Sequence, residues 1–182
     1  MPAPEKSMPD VYLQPGESCL VTEPAILRTV LGSCVGVAFL VPRLGVGALC
    51  HPMLPRCPAK LLRNQAGTRY VDFAIRDLAR QLDSLGAARA ETQVKLFGGA
   101  DVLAVVDSRS RPTVGRLNLE MALRTLEEEG FRVAASSLGG SSGVQIQFHT
   151  DTGEVILRRL DRGEANRRPN ARGPSHQSGR RR

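Results

Sequence analysis

The most constraining feature of the sequence is a pair of short apolar runs joined by a turn signal. The runs are VGVAFLV at residues 35–41 and VGALC at residues 46–50, with PRLG between them. Both runs contain strand-forming residues, and Pro and Gly are typical of turns. The stretch therefore predicts a β-hairpin, in which Cys34 directly precedes the first strand and His51 directly follows the second.

The register of this hairpin decides whether the cysteine and the histidine can meet. We take Val41 to be opposite Val46 across the turn. The same register then sets His51 opposite Gly36, with Cys34 on the neighbouring diagonal. Because alternate residues of a strand share a face, the two side chains point the same way, with Cα atoms about 7–8 Å apart. A slip of one residue would put them on opposite faces, so this spacing specifically permits a Cys-His dyad.

A thiol next to an imidazole is suited to nucleophilic catalysis. The imidazole of His51 can take the proton of Cys34, and the thiolate is the reactive form. Gly32 and Ser33, just before the cysteine, could let the backbone turn tightly and present N–H groups to a developing oxyanion. The alternative reading from the residues alone is an inert buried cysteine beside a hydrogen-bonded core histidine, since cysteine often behaves as a small apolar residue.

Charge and composition divide the chain into one domain and two polar ends. Residues 161–182 hold seven Arg against one Asp and one Glu, which is +5 of the net charge of +7. This segment is poor in apolar residues and is predicted to be a disordered basic tail, with a specific acidic partner as the alternative. Residues 1–10 are predicted to be a flexible start, which leaves residues 11–160 as the domain. The domain itself carries little excess charge, so nucleic acid is not an expected partner.

The sequence also limits the compartment. No apolar run approaches the roughly 20 residues of a membrane-spanning helix, and the first residues lack the basic-then-apolar order of a secretory signal. We therefore expect a cytoplasmic protein without membrane insertion. In that compartment the cysteines are expected to be reduced thiols: Cys19, Cys34, Cys50 and Cys57.

Two kinds of bound group are rivals to the dyad. The thiols of residues 34, 50 and 57 and the imidazole of His51 are soft metal ligands, but there is no CxxC pair, and neighbours in a strand point to opposite faces. The glycine-rich stretches FGGAD and LGGSSG lack the lysine of a P-loop and the spacing of a dinucleotide fingerprint, so they predict turns. We expect neither a metal nor a cofactor.

The rest of the chain predicts strands that alternate with two helices. Apolar residues recur every three or four positions at 69–86 and again at 119–130, and each pattern ends at a glycine. QVKLFGG, FRVAASSLGG, VQIQFHT and EVILRRL are typical of strands, and DTG predicts a hairpin between the last two. The predicted fold is an α/β sandwich of mixed β-sheet with two main helices, not a doubly wound parallel sheet.

These segments resemble, in the same order, the signature of the CheD family, the chemoreceptor glutamine deamidases of bacterial chemotaxis. The resemblance covers roughly residues 11–160 and rests on TVLGSCVGVAFLVPRLGVGALCHPMLP, RYVDFAIRDLARQLDSLGA, FGGAD, VGRLN and LGGSSGVQIQFHTDTGEV. It implies Cys34 as the nucleophile, His51 as its base, and Thr29 as the residue that supports the histidine. One departure is Val144, which stands where relatives usually carry an arginine. The fold implied is again an α/β sandwich, related to deamidating toxin domains.

The resemblance also implies an activity and partners. The activity is that of a protein-glutamine glutaminase, an amidohydrolase that converts specific glutamines of methyl-accepting chemotaxis receptors to glutamate and releases ammonia. A phosphatase of the CheC type is the implied regulatory partner, and we expect a monomer. Two alternatives stay open. One is a non-catalytic module that binds receptors or a phosphatase. The other is a cysteine protease, because thiolate attack on an amide begins both reactions.

Overall fold

The computed structural model describes residues 8–61, 65–101 and 112–160, and within them the chain forms nine strands and two α-helices. The predicted basic tail and most of the predicted flexible start lie outside the described residues. In chain order the elements are β1 Asp10–Tyr12, β2 Ser18–Val21, β3 Ile26–Leu31, β4 Val35–Val41, β5 Val46–Cys50, α1 Val71–Ser84, β6 Gln93–Gly98, α2 Val114–Glu128, β7 Val133–Leu138, β8 Val144–His149 and β9 Val155–Arg159.

The strands form two sheets of mixed direction. In the first sheet the order is β1-β3-β8-β9, and in the second it is β2-β5-β4-β6-β7. Strand β1 is parallel to β3 and β6 is parallel to β7, whereas the other pairs are antiparallel. Strands β1 and β2 therefore lie in different sheets, although they are neighbours in the chain, and Gly16 in their connection has a φ of 88°.

Two hydrophobic cores show how the layers stack. Between the two sheets lies the inter-sheet core, formed by Leu13, Ala25, Leu27, Leu31, Ala38, Leu40, Leu49, Phe97, Val144, Ile146 and Phe148. Between the second sheet and the helices lies the helix-facing core, in which alternate residues of β4, β5 and β6 pack against α1 and α2. Strand β4 is buried on both faces, which explains its unbroken apolar sequence. The predicted α/β sandwich is confirmed, with the second sheet as its middle layer.

The central hairpin has the predicted register. Val41 pairs with Val46 and Val37 with Cys50, and the turn is a short 3-10 helix that ends at Gly45 with a φ of 63°. Beyond the ladder, the backbone N–H of Val35 donates to the carbonyl of Pro52 at 3.3 Å, so the register continues towards the cysteine. The second predicted hairpin is confirmed as β8 and β9.

Both predicted helices are present, and the predicted buried stripe of the second is confirmed at Ala122 and Leu126 but not at Leu123. Leu123, placed by periodicity on the buried stripe, is 45% exposed, whereas Asn118 and Thr125 are fully buried. The buried face of α2 thus includes polar positions that a count of apolar residues ignores. No helix among the described residues combines the length and the apolar character needed to cross a bilayer.

Candidate active site

The loop that carries Cys34 connects β3 of the first sheet to β4 of the second. Its carbonyl groups are tied to the segment after β6, because Gly99 donates its N–H to the carbonyl of Cys34 at 2.8 Å and Ala100 donates to that of Gly32 at 2.9 Å. The thiol is half-buried and packs against the inter-sheet core. These two bonds fix the loop to the segment after β6, and the half-buried Cys34 side chain is still partly exposed to solvent.

His51 directly follows β5 and is held by the backbone on both sides. Its N–H donates to the carbonyl of Glu17 at 2.9 Å, and its own carbonyl accepts from the N–H of Gly16 at 2.7 Å. The residue is 1% exposed. It has the same strand parity as Leu49, so its ring faces the layer between the sheets, as the hairpin register predicts.

Thr29 of β3 meets this ring from the opposite sheet. The hydroxyl Oγ1 of Thr29 lies 2.6 Å from Nδ1 of His51 and 2.9 Å from the carbonyl oxygen of Leu13. The hydroxyl has one hydrogen, which it donates to the Leu13 carbonyl, since that oxygen can only accept. Thr29 must therefore accept from Nδ1–H of His51, and this arrangement assigns the tautomer of the ring.

The assigned tautomer leaves a lone pair on Nε2 of His51. This nitrogen is buried and has no hydrogen-bond partner among the described residues. An imidazole whose Nδ1 carries the proton and whose Nε2 is unoccupied is suited to act as a general base. The hairpin register sets Cys34 on the diagonal from His51, which makes its thiol the candidate nucleophile.

Burial favours the neutral form of both Cys34 and His51. Burial lowers the pKa of His51 to about 4, with a smaller opposing effect of the Leu13 carbonyl. Burial also raises the pKa of the Cys34 thiol, partly offset by a hydrogen bond with its own backbone. Near neutral pH the resting pair is therefore a thiol and a neutral imidazole, not a thiolate–imidazolium ion pair.

The remaining predicted residues are distributed as follows. Cys50 is buried on the helix-facing side, opposite in direction to His51, and Cys57 is also buried, whereas Cys19 is half-buried. Among the residues that the structure describes, no three His, Cys, Asp or Glu side chains gather as metal ligands. The oxyanion role of Gly32 and Ser33 stays a prediction.

One residue at the site escaped the sequence reasoning. Asn118 of α2 is fully buried, and its Nδ2 donates to the carbonyls of both Ser33 and Met53 at 2.9 Å. These carbonyls flank the dyad, one just before Cys34 and the other two residues after His51. The available signal was a polar residue at a core position of an amphipathic helix, between Gly115 and Ala122.

Comparison with known proteins identifies the family. The family described as "CheD chemotactic sensory transduction" matches residues 53–159. The "Probable chemoreceptor glutamine deamidase CheD 2" of Geobacter sulfurreducens is 42% identical over 165 residues, covering 91% of this chain and 99% of that protein. The chain belongs to the CheD family. A match of this coverage includes Thr29, Cys34 and His51, although the CheD family match itself begins at Met53.

A second curated protein and one solved structure are also similar to this chain. The "Probable chemoreceptor glutamine deamidase CheD" of Maridesulfovibrio salexigens is 36% identical over 169 residues, covering 89% of this chain and 98% of that protein. Among solved structures, the Bacillus licheniformis hypothetical protein YfiH is similar to this CheD chain with a TM-score of 0.46 and 12% identity. That similarity covers 69% of this chain and 51% of that chain.

Proposed function

We propose that this chain deamidates glutamine side chains of chemoreceptors through a Cys34–His51 dyad. The observation that carries the proposal is the unoccupied Nε2 lone pair of His51, fixed by the bond between its Nδ1 and Thr29. Membership in the CheD family supports this reaction, because the similar proteins are named as chemoreceptor glutamine deamidases. The site needs no bound group for this chemistry, since nucleophile and base are both side chains.

In the first half-reaction the Cys34 sulfur attacks the carboxamide carbon while Nε2 of His51 takes the thiol proton. A tetrahedral oxyanion forms, and we assign its stabilisation to backbone N–H groups of the Gly32–Cys34 turn. When the intermediate collapses, the C–N bond breaks and the imidazolium gives its proton to the departing nitrogen. Ammonia leaves, and a thioester joins Cys34 to the former glutamine.

In the second half-reaction water hydrolyses the thioester. His51 takes a proton from the water as its oxygen attacks the thioester carbon, and the C–S bond then breaks. The proton returns from the imidazolium to the sulfur, which restores the Cys34 thiol and leaves a glutamate on the substrate. Thr29 holds Nδ1–H of the ring throughout, so that Nε2 is the nitrogen that exchanges protons.

The substrate and setting follow from the same proposal. A chemoreceptor glutamine lies on a protein surface, so the half-buried thiol at a loop has to accept a projecting side chain. We place the reaction in the cytoplasm, with the enzyme as a monomer. A CheC-type phosphatase that competes with receptors for the same surface is the regulatory partner in this proposal.

Mass spectrometry of a chemoreceptor cytoplasmic fragment incubated with the enzyme tests the proposal. We expect a gain of about one mass unit at specific glutamines together with ammonia release, and neither with Cys34→Ala or His51→Gln. Cys19→Ser is the matched control, because Cys19 is the other half-buried thiol, and it should leave the activity unchanged. Cleavage of the receptor backbone would indicate a protease instead, and stable binding without covalent change would indicate a non-catalytic module.

A further inference from the structure

Asn118 joins the two halves of the site from a third element. Its Nδ2 group donates one hydrogen bond to the carbonyl of Ser33 and one to the carbonyl of Met53, both at 2.9 Å. The first carbonyl belongs to the residue before Cys34, and the second lies two residues beyond His51. A single amide group of α2 thus connects the nucleophile loop (residues 32–34) to the segment that follows His51.

The hairpin alone holds this end of the site weakly. The regular ladder between β4 and β5 ends at the pair of Val37 and Cys50. Beyond it, the bond from Val35 to the Pro52 carbonyl is 3.3 Å long, which is at the long end of the range for N–H···O bonds. Cys34 lies one residue beyond Val35. The two hydrogen bonds of Asn118, at 2.9 Å, are shorter than the bond from Val35 to Pro52, and one of them reaches Ser33, the residue next to Cys34.

The unpartnered half of the amide indicates that packing alone does not explain Asn118. The residue is fully buried, and its Oδ1 has no hydrogen-bond partner among the described residues. A buried polar atom without a partner destabilises a protein, so a leucine of similar size would cost less at an ordinary core position. The orientation of the amide is unambiguous, since both neighbours are carbonyl oxygens and need donors.

Helix α2 packs closely against the segment that follows β6. A Cβ added to Gly115, one turn before Asn118, would come within 2.7 Å of the carbonyl oxygens of Gly99 and Ala100. Those two residues also donate their N–H groups to Cys34 and Gly32. The helix is therefore linked to the loop in two ways: indirectly, through its close packing on Gly99 and Ala100, and directly, through the Asn118 amide.

We propose that Asn118 is a positioning residue that sets the separation of the Cys34 thiol and Nε2 of His51. It does so by fixing the Ser33 and Met53 carbonyls to one rigid group on α2. The role of Asn118 in deamidation rests on the proposed function. Its effect on the position of the Cys34 thiol does not require a substrate. Loss of the amide leaves both carbonyls without this donor and lets the Ser33 carbonyl shift relative to that of Met53, and small displacements of reacting groups cost large factors in rate.

The test compares Asn118→Leu with Thr125→Val in a Cys19→Ser background. Thr125 lies seven residues farther along α2, is fully buried, and has a hydroxyl without a partner among the described residues, so it controls for general damage to the helix core. The first measurement is the pH dependence of Cys34 alkylation by iodoacetamide, at a temperature where circular dichroism shows each variant folded. We expect the Asn118→Leu profile to approach that of His51→Gln, and the Thr125→Val profile to match the parent.

The second measurement is steady-state ammonia release from the receptor fragment. For Asn118→Leu we expect kcat to fall about a hundredfold with little change in KM, because the thiol is displaced while the substrate surface is kept. A lowered Tm with an unaltered alkylation profile would overturn the proposal and leave Asn118 with a structural role only. The alkylation measurement needs no substrate, so it decides the role of Asn118 even if the parent enzyme releases no ammonia.

A milder variant keeps the test decisive if Asn118→Leu fails to fold. Asn118→Ser retains one hydroxyl donor, which can serve one carbonyl but not both. We expect a smaller shift of the alkylation profile in the same direction and an intermediate kcat. A serine variant indistinguishable from the parent in both measurements would refute the need for two bonds.

Discussion

At the scale of single residues, the proton on Nδ1 of His51 leaves Nε2 as the nitrogen that can act as a base. Thr29 accepts from Nδ1–H, and its replacement by valine removes this acceptor while keeping a similar shape. A hydrogen bond to a group that becomes charged is worth about 1.5–3 kcal/mol, so we expect Thr29→Val to lower kcat about 10- to 100-fold. Thr29→Ser keeps the hydroxyl and should retain most of the activity. Ammonia release measures both, and equal rates for valine and threonine would contradict the assigned tautomer.

The buried imidazole also makes stability depend on pH. The pKa of His51 is lowered from 6.5 to about 4 in the folded protein, so between these values the unfolded chain binds a proton that the folded chain does not. His51 therefore destabilises the fold progressively as pH falls from 6.5, by about 3 kcal/mol in total near pH 4. Urea unfolding at pH 7 and pH 4.5 should show a larger loss for the parent than for His51→Gln. Equal losses would mean that the imidazole is already charged in the fold.

The sequence was sufficient to predict the register of the hairpin that carries Cys34 and His51, but not the surroundings of these two residues. Both residues lie at fixed distances along the chain from one turn, so the local register sets them on one face. The Leu13 carbonyl accepts from the Thr29 hydroxyl, and Asn118 of α2 donates to the Ser33 carbonyl, so both contacts come from outside the hairpin. Such contacts depend on how the layers stack, which local periodicity does not contain.

At the scale of elements, the end of β6 and the nucleophile loop approach too closely for a side chain. Gly98 has a φ of 91°, and a Cβ there would lie 2.4 Å from the carbonyl oxygen of Cys34. Gly98→Ala should therefore be strongly destabilising and lower the rate of ammonia release, because the loop has to shift. Gly86→Ala is the matched control, with a φ of 76° and no atom within 4 Å of the added Cβ.

The two glycine variants separate backbone strain from the clash. We expect Gly86→Ala to cost about 1–2 kcal/mol, from the positive φ alone, with unchanged activity in the folded fraction. Urea unfolding and ammonia release are measured for both. Equal effects of the two substitutions on stability and on rate would refute a specific role for the contact between Gly98 and Cys34.

The elements differ in how well local signals predicted them. Both hairpins were predicted because their turn residues and strand-forming runs are local. The separation of β1 and β2 into different sheets was not, because parallel pairing of β1 with β3 requires knowledge of a distant partner. For α2 the periodicity was wrong only for Leu123, because part of the buried face is formed by Asn118 and Thr125, polar residues that a hydrophobic pattern assigns to the surface.

At the scale of the whole molecule, the described residues of both cores lie between Val11 and Leu157. The inter-sheet core orients Thr29 and His51, and the helix-facing core seats α2, so the site depends on the docking of all three layers. Leu160 closes the described chain, with 5% exposure and an N–H that donates to the Gly143 carbonyl at 2.9 Å. All the strands and helices that form the site precede Leu160 in the chain.

This arrangement predicts the effect of removing residues 161–182. A chain that ends at Leu160 should keep its Tm and its rate of ammonia release, because the residues of both cores and of the dyad remain. The removed segment carries +5 of the net charge of +7, so the shortened chain should elute from a cation exchanger at lower salt. Leu160→Ala in the full chain is the control for loss of the last buried side chain, and it should lower Tm where the truncation does not. A truncated protein that unfolds, or folds but no longer releases ammonia, would show that the basic segment contributes to the domain or to its substrate contacts.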